Sequence, residues 1–248
     1  MTFPCLTGND GARLSLRERV YRYLAEWLQA ADRRAGEGID QHALCRALRI
    51  SRTPLRDALL RLELEGLVEI RPRQGVFVRS PSPAEVMDIC RILGLLEADA
   101  LERRFPGPQG AFLRPLALSL RQQQAAARQG DDVLFHRAER DFHCLLTGWA
   151  NAHPTARLVA PLLRRLDMLP RRPEHAAGRR AGVIGVHKRL LDSLACGNLT
   201  AAASILRQEY WLSASFPGHL RAAMSSSAVT AAAGPRSRSR REDDWPDP

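Results

Sequence analysis

Between Asp40 and Val78 the spacing of apolar residues changes from helical to alternating, and no single regular element satisfies both patterns. Asp40 is a candidate N-cap for a short helix carrying Ala43, Leu44, Ala47 and Leu48. Arg49 and Ile50 make a turn. Ser51 then opens a second helix, in which Leu55, Ala58, Leu59 and Leu62 face inward and Arg52, Arg56 and Arg61 face outward. Gly66 stops it. The period then drops to two through Leu67–Ile70, a turn at Arg71-Pro72-Arg73-Gln74-Gly75, and Val76–Val78, which predicts a small hairpin. Upstream, Leu16, Val20, Leu24, Trp27 and Leu28 recur every three or four residues and predict a helix from Leu16 to Ala30, ended by RRAGEGI.

Past Ser80-Pro81-Ser82-Pro83, a cluster of breakers that reads as a domain boundary, the pattern is helical throughout. Helices are predicted at about 83–105, 110–129, 131–148, 153–168, 178–196 and 198–216, with no strand. The fold class is mainly α: three helices and a hairpin, then an all-helical bundle. The expected organisation is a flexible arm over 1–12, a first domain over 13–80, a bundle over 81–220 and a disordered tail over 221–248. In that tail Arg236, Arg238, Arg240 and Arg241 could add phosphate affinity, or simply solvate it.

Charge narrows the partners. With 37 Lys+Arg, nearly all arginine, and a formal charge of +10, the chain is drawn to polyanions. Arginine richness alone decides little, because a GC-rich genome enriches Arg and Ala alike. No apolar run approaches the roughly 18 residues of a membrane span, and the N-terminus lacks the basic-then-apolar pattern of a secretory signal. The expected setting is cytoplasmic. Five scattered cysteines, none in a CxxC pair, argue against a disulfide framework or a zinc-thiolate site.

Short helix, tight turn, arginine-bearing helix and basic hairpin, in that order, make a winged helix-turn-helix. Its second helix would present Ser51-Arg52-Thr53-Pro54-Leu55-Arg56 to a major groove, with Arg52 and Arg56 on one face. An arginine fork can bridge two guanine acceptors, while hydroxyls and a helix N-terminus suit phosphates. Pro54 falls in the first turn, where its missing N–H costs little. The hairpin tip, with Arg71, Arg73, Gln74 and Gly75, would touch the backbone or the minor groove.

The stretch LCRALRISRTPLRDALLRLELEGLVEIRPRQGVFV resembles the DNA-binding domain of GntR-family regulators, in which a segment similar to SRTPLR opens the recognition helix. The resemblance implies operator contacts by Arg52, Thr53 and Arg56, with Ser51 near phosphate and Gln74-Gly75 at the wing tip. The family commonly has an arginine in the preceding helix where this chain has His42, so that contact would be weaker or pH-dependent.

In the bundle, Glu139 and His143 lie one helical turn apart, with His187 and Glu209 on later helices. Converging in a core, they would suit a divalent transition metal; the same spacing also suits surface pairs. This half resembles the FCD, or FadR-like, subgroup through Leu96-Glu97, Phe142-His143, Asn151 and HKRLLDSLACGNLTAA. The subgroup often holds a metal through an Asp, the Phe-His histidine and two later histidines. By position these become Glu139, His143, His187 and Glu209, a set for zinc, manganese or nickel that departs from the pattern twice. The subgroup's arginine for a carboxylate effector aligns with Leu93, which leaves Arg91 and Arg140 as substitutes.

The expected function is that of a sequence-specific transcription regulator, a repressor by the family's habit. Its partners would be a two-fold symmetric double-stranded operator, a small carboxylate effector and a second copy of itself. The rival readings are a nonspecific nucleic-acid-binding protein and a helical-bundle metalloenzyme.

Overall fold

The computed structural model describes residues 14–30, 35–105, 110–148, 154–169 and 173–211. The expected arm, the tail from 221 and Asn151 lie outside them. Helix α1 (Leu16–Ala30) buries Val20, Leu24 and Leu28 against α3 (Arg52–Leu64), whose Leu55, Ala58, Leu59 and Leu62 form the facing stripe. Between them α2 (Gln41–Leu48) is capped as expected: Ala43 N–H donates to the Asp40 carboxylate at 2.9 Å. Arg49 closes α2 in the left-handed region at φ 53°, which turns the chain sharply into α3. Strands β1 (Val68–Arg71) and β2 (Gly75–Val78) pair antiparallel from Val68↔Val78 to Arg71↔Gly75.

One pairing escaped the sequence reading. The segment before α2 lies on the other edge of β2, with a bridge at Gly38↔Phe77 and hydrogen bonds from Ile39 N–H to Val76 O and from Val78 N–H to Glu37 O, both 2.8 Å. Gly-Glu-Gly-Ile is too short to show an alternating period, so only its helix-stopping character was legible.

The second half is the expected helical bundle: α4 (Pro83–Arg104), α5 (Gly110–Gln129), α6 (Asp132–Leu146), α7 (Pro154–Asp167), α8 (Pro173–Ala195) and α9 (Leu199–Ser204). Helix α8 starts earlier than the expected 178, at Pro173. Helix α9 runs into a π-helical turn over Ile205–Tyr210 where a plain helix was expected. Helix α4 approaches that turn closely. A Cβ on Gly94 would sit 3.2 Å from the Leu206 carbonyl oxygen, so a side chain there would push the two apart.

The Ser80–Pro83 junction is tied down rather than loose. Ser82 and Glu85 form a capping box at the start of α4, and Glu85 also pairs with Arg79 and Arg165 at 2.6 Å each. Met168, just past α7, belongs to the core of the N-terminal domain, and its carbonyl accepts from Ser80 Oγ at 3.4 Å. Arg164 reaches the end of α3, donating to Glu65 Oε2 at 2.9 Å and to the Tyr21 hydroxyl at 2.9 Å. The Tyr21 hydroxyl itself donates to Glu65 at 2.6 Å; burial first, then this carboxylate, pushes its pKa up to about 12. Gly66 beside this joint has φ 74°, and a Cβ there would meet Arg165 Nε at 3.0 Å. Gly66→Ala is therefore expected to lower stability by about 1–2 kcal/mol, read as a drop in thermal midpoint; an unchanged midpoint would show that the joint relaxes freely.

Candidate DNA-binding surface and buried imidazole pair

The first turn of α3 presents what a groove-reading helix needs. Ser51, Arg52, Thr53 and Arg56 are all exposed, on a helix anchored from behind by Leu55, Ala58, Leu59 and Leu62. Ser51 sits at the N-cap position in extended backbone, yet its side chain makes no capping hydrogen bond, which leaves the hydroxyl for an external acceptor. Pro54 is buried in the first turn, as its position allows. His42 is exposed on α2, with its Nε2 3.4 Å from Arg52 Nη2, so the two side chains share one patch. Arg46 in α2 and Arg49 at its end are also exposed and were not singled out from the sequence.

At the hairpin tip the arginines differ. Arg71 pairs with Glu69 at 2.9 Å and lies over the Phe77 ring, 4.6 Å from its centroid, so part of its charge is spent within the sheet. Arg73 and Gln74 are fully outward in the turn, Arg73 at φ 60°, and Gly75 at φ 124° occupies a conformation that only glycine adopts without strain. The tip is therefore led by Arg73 and Gln74.

Inside the bundle, residues from four helices form one polar chain among aromatic rings. His143 Nδ1 lies 3.0 Å from Glu97 Oε2, which also accepts from Trp211 Nε1 at 2.8 Å. His187 Nδ1 lies 2.8 Å from Gln123 Oε1, while Gln123 Nε2 donates to the Ala138 carbonyl at 3.3 Å. The two imidazoles face each other through Nε2 atoms 3.3 Å apart. Phe142 stacks on His187 at 4.1 Å, and Tyr210 stacks on its other side at 4.9 Å. Burial, then the neighbouring His143, holds the His187 pKa well below the usual imidazole range, so its ring stays neutral with a lone pair to offer.

The expected metal set is only partly assembled. His143 and His187 meet, but Glu209 points outward and pairs with Arg189, both half-exposed. In the π-helical turn it is Tyr210 that faces the core, with Leu206 and Ala202 one and two turns before it, while Glu209 stays on the surface. Glu139 is buried near the pair, but its carboxylate takes Arg179 at 2.8 Å, the Tyr210 hydroxyl at 2.7 Å and His136 at 3.1 Å. Burial alone would raise its pKa; Arg179, His136 and Tyr210 outweigh that and hold it far below the usual carboxylate range. Among the described residues no three His, Cys, Asp or Glu side chains are arranged around one metal position. What fits a metal here is the imidazole pair, since two Nε2 atoms 3.3 Å apart match two nitrogens bound at about 2.0–2.1 Å with a tetrahedral angle between them.

Both substitutes for the effector arginine lie elsewhere. Arg91 is exposed on α4 beside Asp88, at 3.6 Å. Arg140 pairs with Asp167 and donates to Gln29 on α1 at 2.9 Å, and so belongs to the joint between the two halves. A positive charge that does act on the imidazole pair is Arg179, on α8, which bonds Glu139 beside it. The sequence did carry a signal for the residues missed. Glu97 interrupts the apolar stripe of α4 between Leu93 and Leu101, and Gln123 interrupts that of α5 between Leu116 and Ala126; a polar side chain on a buried stripe needs partners.

Comparison with known proteins agrees with this anatomy. The family model described as bacterial regulatory proteins, gntR family, matches residues 16–78, and that of the FCD domain matches residues 88–209. An uncharacterised HTH-type transcriptional regulator of Streptomyces ambofaciens is 26% identical over 198 residues, covering 77% of this chain and 80% of the relative. The HTH-type transcriptional repressor RspR of Escherichia coli is 28% identical over 53% of this chain and 58% of its own. The solved structure of E. coli McbR/YncC shares the fold with a TM-score of 0.70 at 21% identity, covering 87% of this chain and 99% of that one. No helix among the described residues is long and apolar enough to cross a membrane. Family and relatives are transcription regulators rather than enzymes, which sets the metalloenzyme reading aside. The chain thus belongs to the GntR family, as a DNA-binding transcriptional regulator with an FCD domain.

Proposed function

We propose that the protein is a dimeric repressor, working in the cytoplasm, whose hold on a two-fold symmetric operator is set by a small carboxylate effector bound in the helical half. The observation that carries the specific-binding part is the first turn of α3, where Arg52 and Arg56 stand exposed beside a hydroxyl that makes no capping hydrogen bond. The name of the E. coli relative supports repression, and the need to place two such helices on successive turns of one groove face supports a dimer.

A divalent cation held by His143 and His187 would supply a Lewis-acidic anchor for the effector's carboxylate. With Glu209 turned outward and Glu139 committed to Arg179, imidazole dominates the donor set and favours zinc or nickel over manganese. Control then runs by linkage: whatever arrangement of the two halves the effector prefers shifts operator affinity by that preference and no more. Helix α7 is placed to carry it, with Val159 and Leu163 in the same cluster as Tyr210 and Trp211, and Arg164 on the end of the recognition helix.

Selection from a random duplex pool at physiological salt tests the reading. Retained sequences should share a two-fold symmetric motif, and affinity for it should fall roughly 10³- to 10⁵-fold from 50 to 200 mM salt for about 6–10 phosphate contacts. Equal retention of all sequences would leave a nonspecific binder instead.

A further inference from the structure

A metal held by two imidazoles needs both rings turned the right way and both in the right tautomer, and neither follows from having two histidines nearby. Each ring here has one nitrogen on an oxygen that can accept. Glu97, fully buried, offers Oε2 to His143 Nδ1, and that carboxylate is itself fixed by the Trp211 indole N–H. Gln123, also fully buried, offers Oε1 to His187 Nδ1; the sense of its amide is set by Nε2 donating to Ala138 O, a carbonyl that also accepts from Ser119 Oγ at 2.7 Å. With both Nδ1 protons so placed, the lone pair of each Nε2 points at the other across 3.3 Å. Two bare lone pairs facing one gap repel, so either a shared proton or a metal cation must stand there.

We propose that Glu97 and Gln123 are the positioning residues of a two-imidazole cation site, each fixing the tautomer and ring orientation of one histidine by accepting its Nδ1 proton. This inference rests on the metal-binding reading above. The other Glu97 oxygen, Oε1, is buried with no hydrogen-bond partner among the described residues, so the carboxylate is kept in the core at a cost that a purely structural role would not require. Orienters of this kind typically change metal affinity 10- to 100-fold when removed. Neither residue was among the ligand candidates read from the sequence.

The test uses the full chain without a histidine tag, stripped by chelator and titrated with Zn²⁺ or Ni²⁺ alone by calorimetry, with tryptophan fluorescence recorded alongside. The wild type should bind about one ion per chain, and His187→Ala should abolish binding. Glu97→Gln and Gln123→Met should each weaken binding roughly 10- to 100-fold with metal-free thermal midpoints near that of the wild type. In the zinc-loaded wild type, NMR should show slowly exchanging Nδ1 protons on both rings, and Gln123→Met should lose the one on His187. If Glu97→Gln does not fold, Gln123→Met decides. Wild-type affinity in both variants, with His187→Ala inactive, would overturn the positioning roles while leaving the metal site standing; a wild type that binds neither ion would overturn both.

Discussion

Arg52→Ala is expected to lower operator affinity by about 1–3 kcal/mol, a roughly 5- to 150-fold rise in Kd, and to relax base preference at one position of each half-site. The side chain is exposed at the first turn of α3, and among the described residues its polar partner is the His42 ring at 3.4 Å, too weak a contact to hold it back from a guanine edge. Competition assays against single-base operator variants read the effect. A uniform loss across all variants would instead make Arg52 a phosphate contact, and would move the burden of specificity to Arg56.

The second large effect is expected at the joint between the halves. Arg164 is about one-fifth exposed and its partner Glu65 about one-tenth, so the pair is largely desolvated, and Tyr21 completes it. Arg164→Ala strands the carboxylate against Tyr21 and the more distant Arg61, at 3.5 Å. Deleting one partner of a fully buried pair costs about 3–5 kcal/mol; for this partly exposed one about 2–3 kcal/mol is expected. The loss should fall on communication as well as stability. Denaturant unfolding should split into two transitions, and amide exchange at the end of α3 should speed up with little change at His143 or His187. A single transition within about 0.5 kcal/mol of the wild type would show that Met168 and the Arg79–Glu85–Arg165 cluster hold the halves together without it.

The sequence was most informative where one residue's period decided its environment. Leu55, Ala58, Leu59 and Leu62 repeat at helical spacing and are buried, Arg52 and Arg56 fall opposite and are exposed, and the switch to alternation at Val68 marks the hairpin. It was least informative where distant segments meet. Nothing local to Glu-Gly-Ile before α2 announces that it bridges to the sheet, since its partner β2 supplies the order. Nothing local to Arg140 or Arg164 shows that they span two domains, because a surface arginine and an interface arginine have the same helical phase. The imidazole pair was half legible: His143 and His187 were named from spacing and resemblance, while Glu97 and Gln123 were readable only as polar breaks in apolar stripes.

Helix pitch also decides which side chain faces the imidazoles. Over Ile205–Tyr210 the backbone takes the wider π spacing, and it is Tyr210, stacked on His187 and bonded to Glu139, that reaches the core in place of its neighbour. A relative with an ordinary α-helix over the same stretch would set these side chains at a different angle to the core even with an identical sequence there. Residue-by-residue transfer of a ligand across this turn can therefore slip by one position, and a one-residue insertion or deletion in it would remodel the sensor as thoroughly as any substitution.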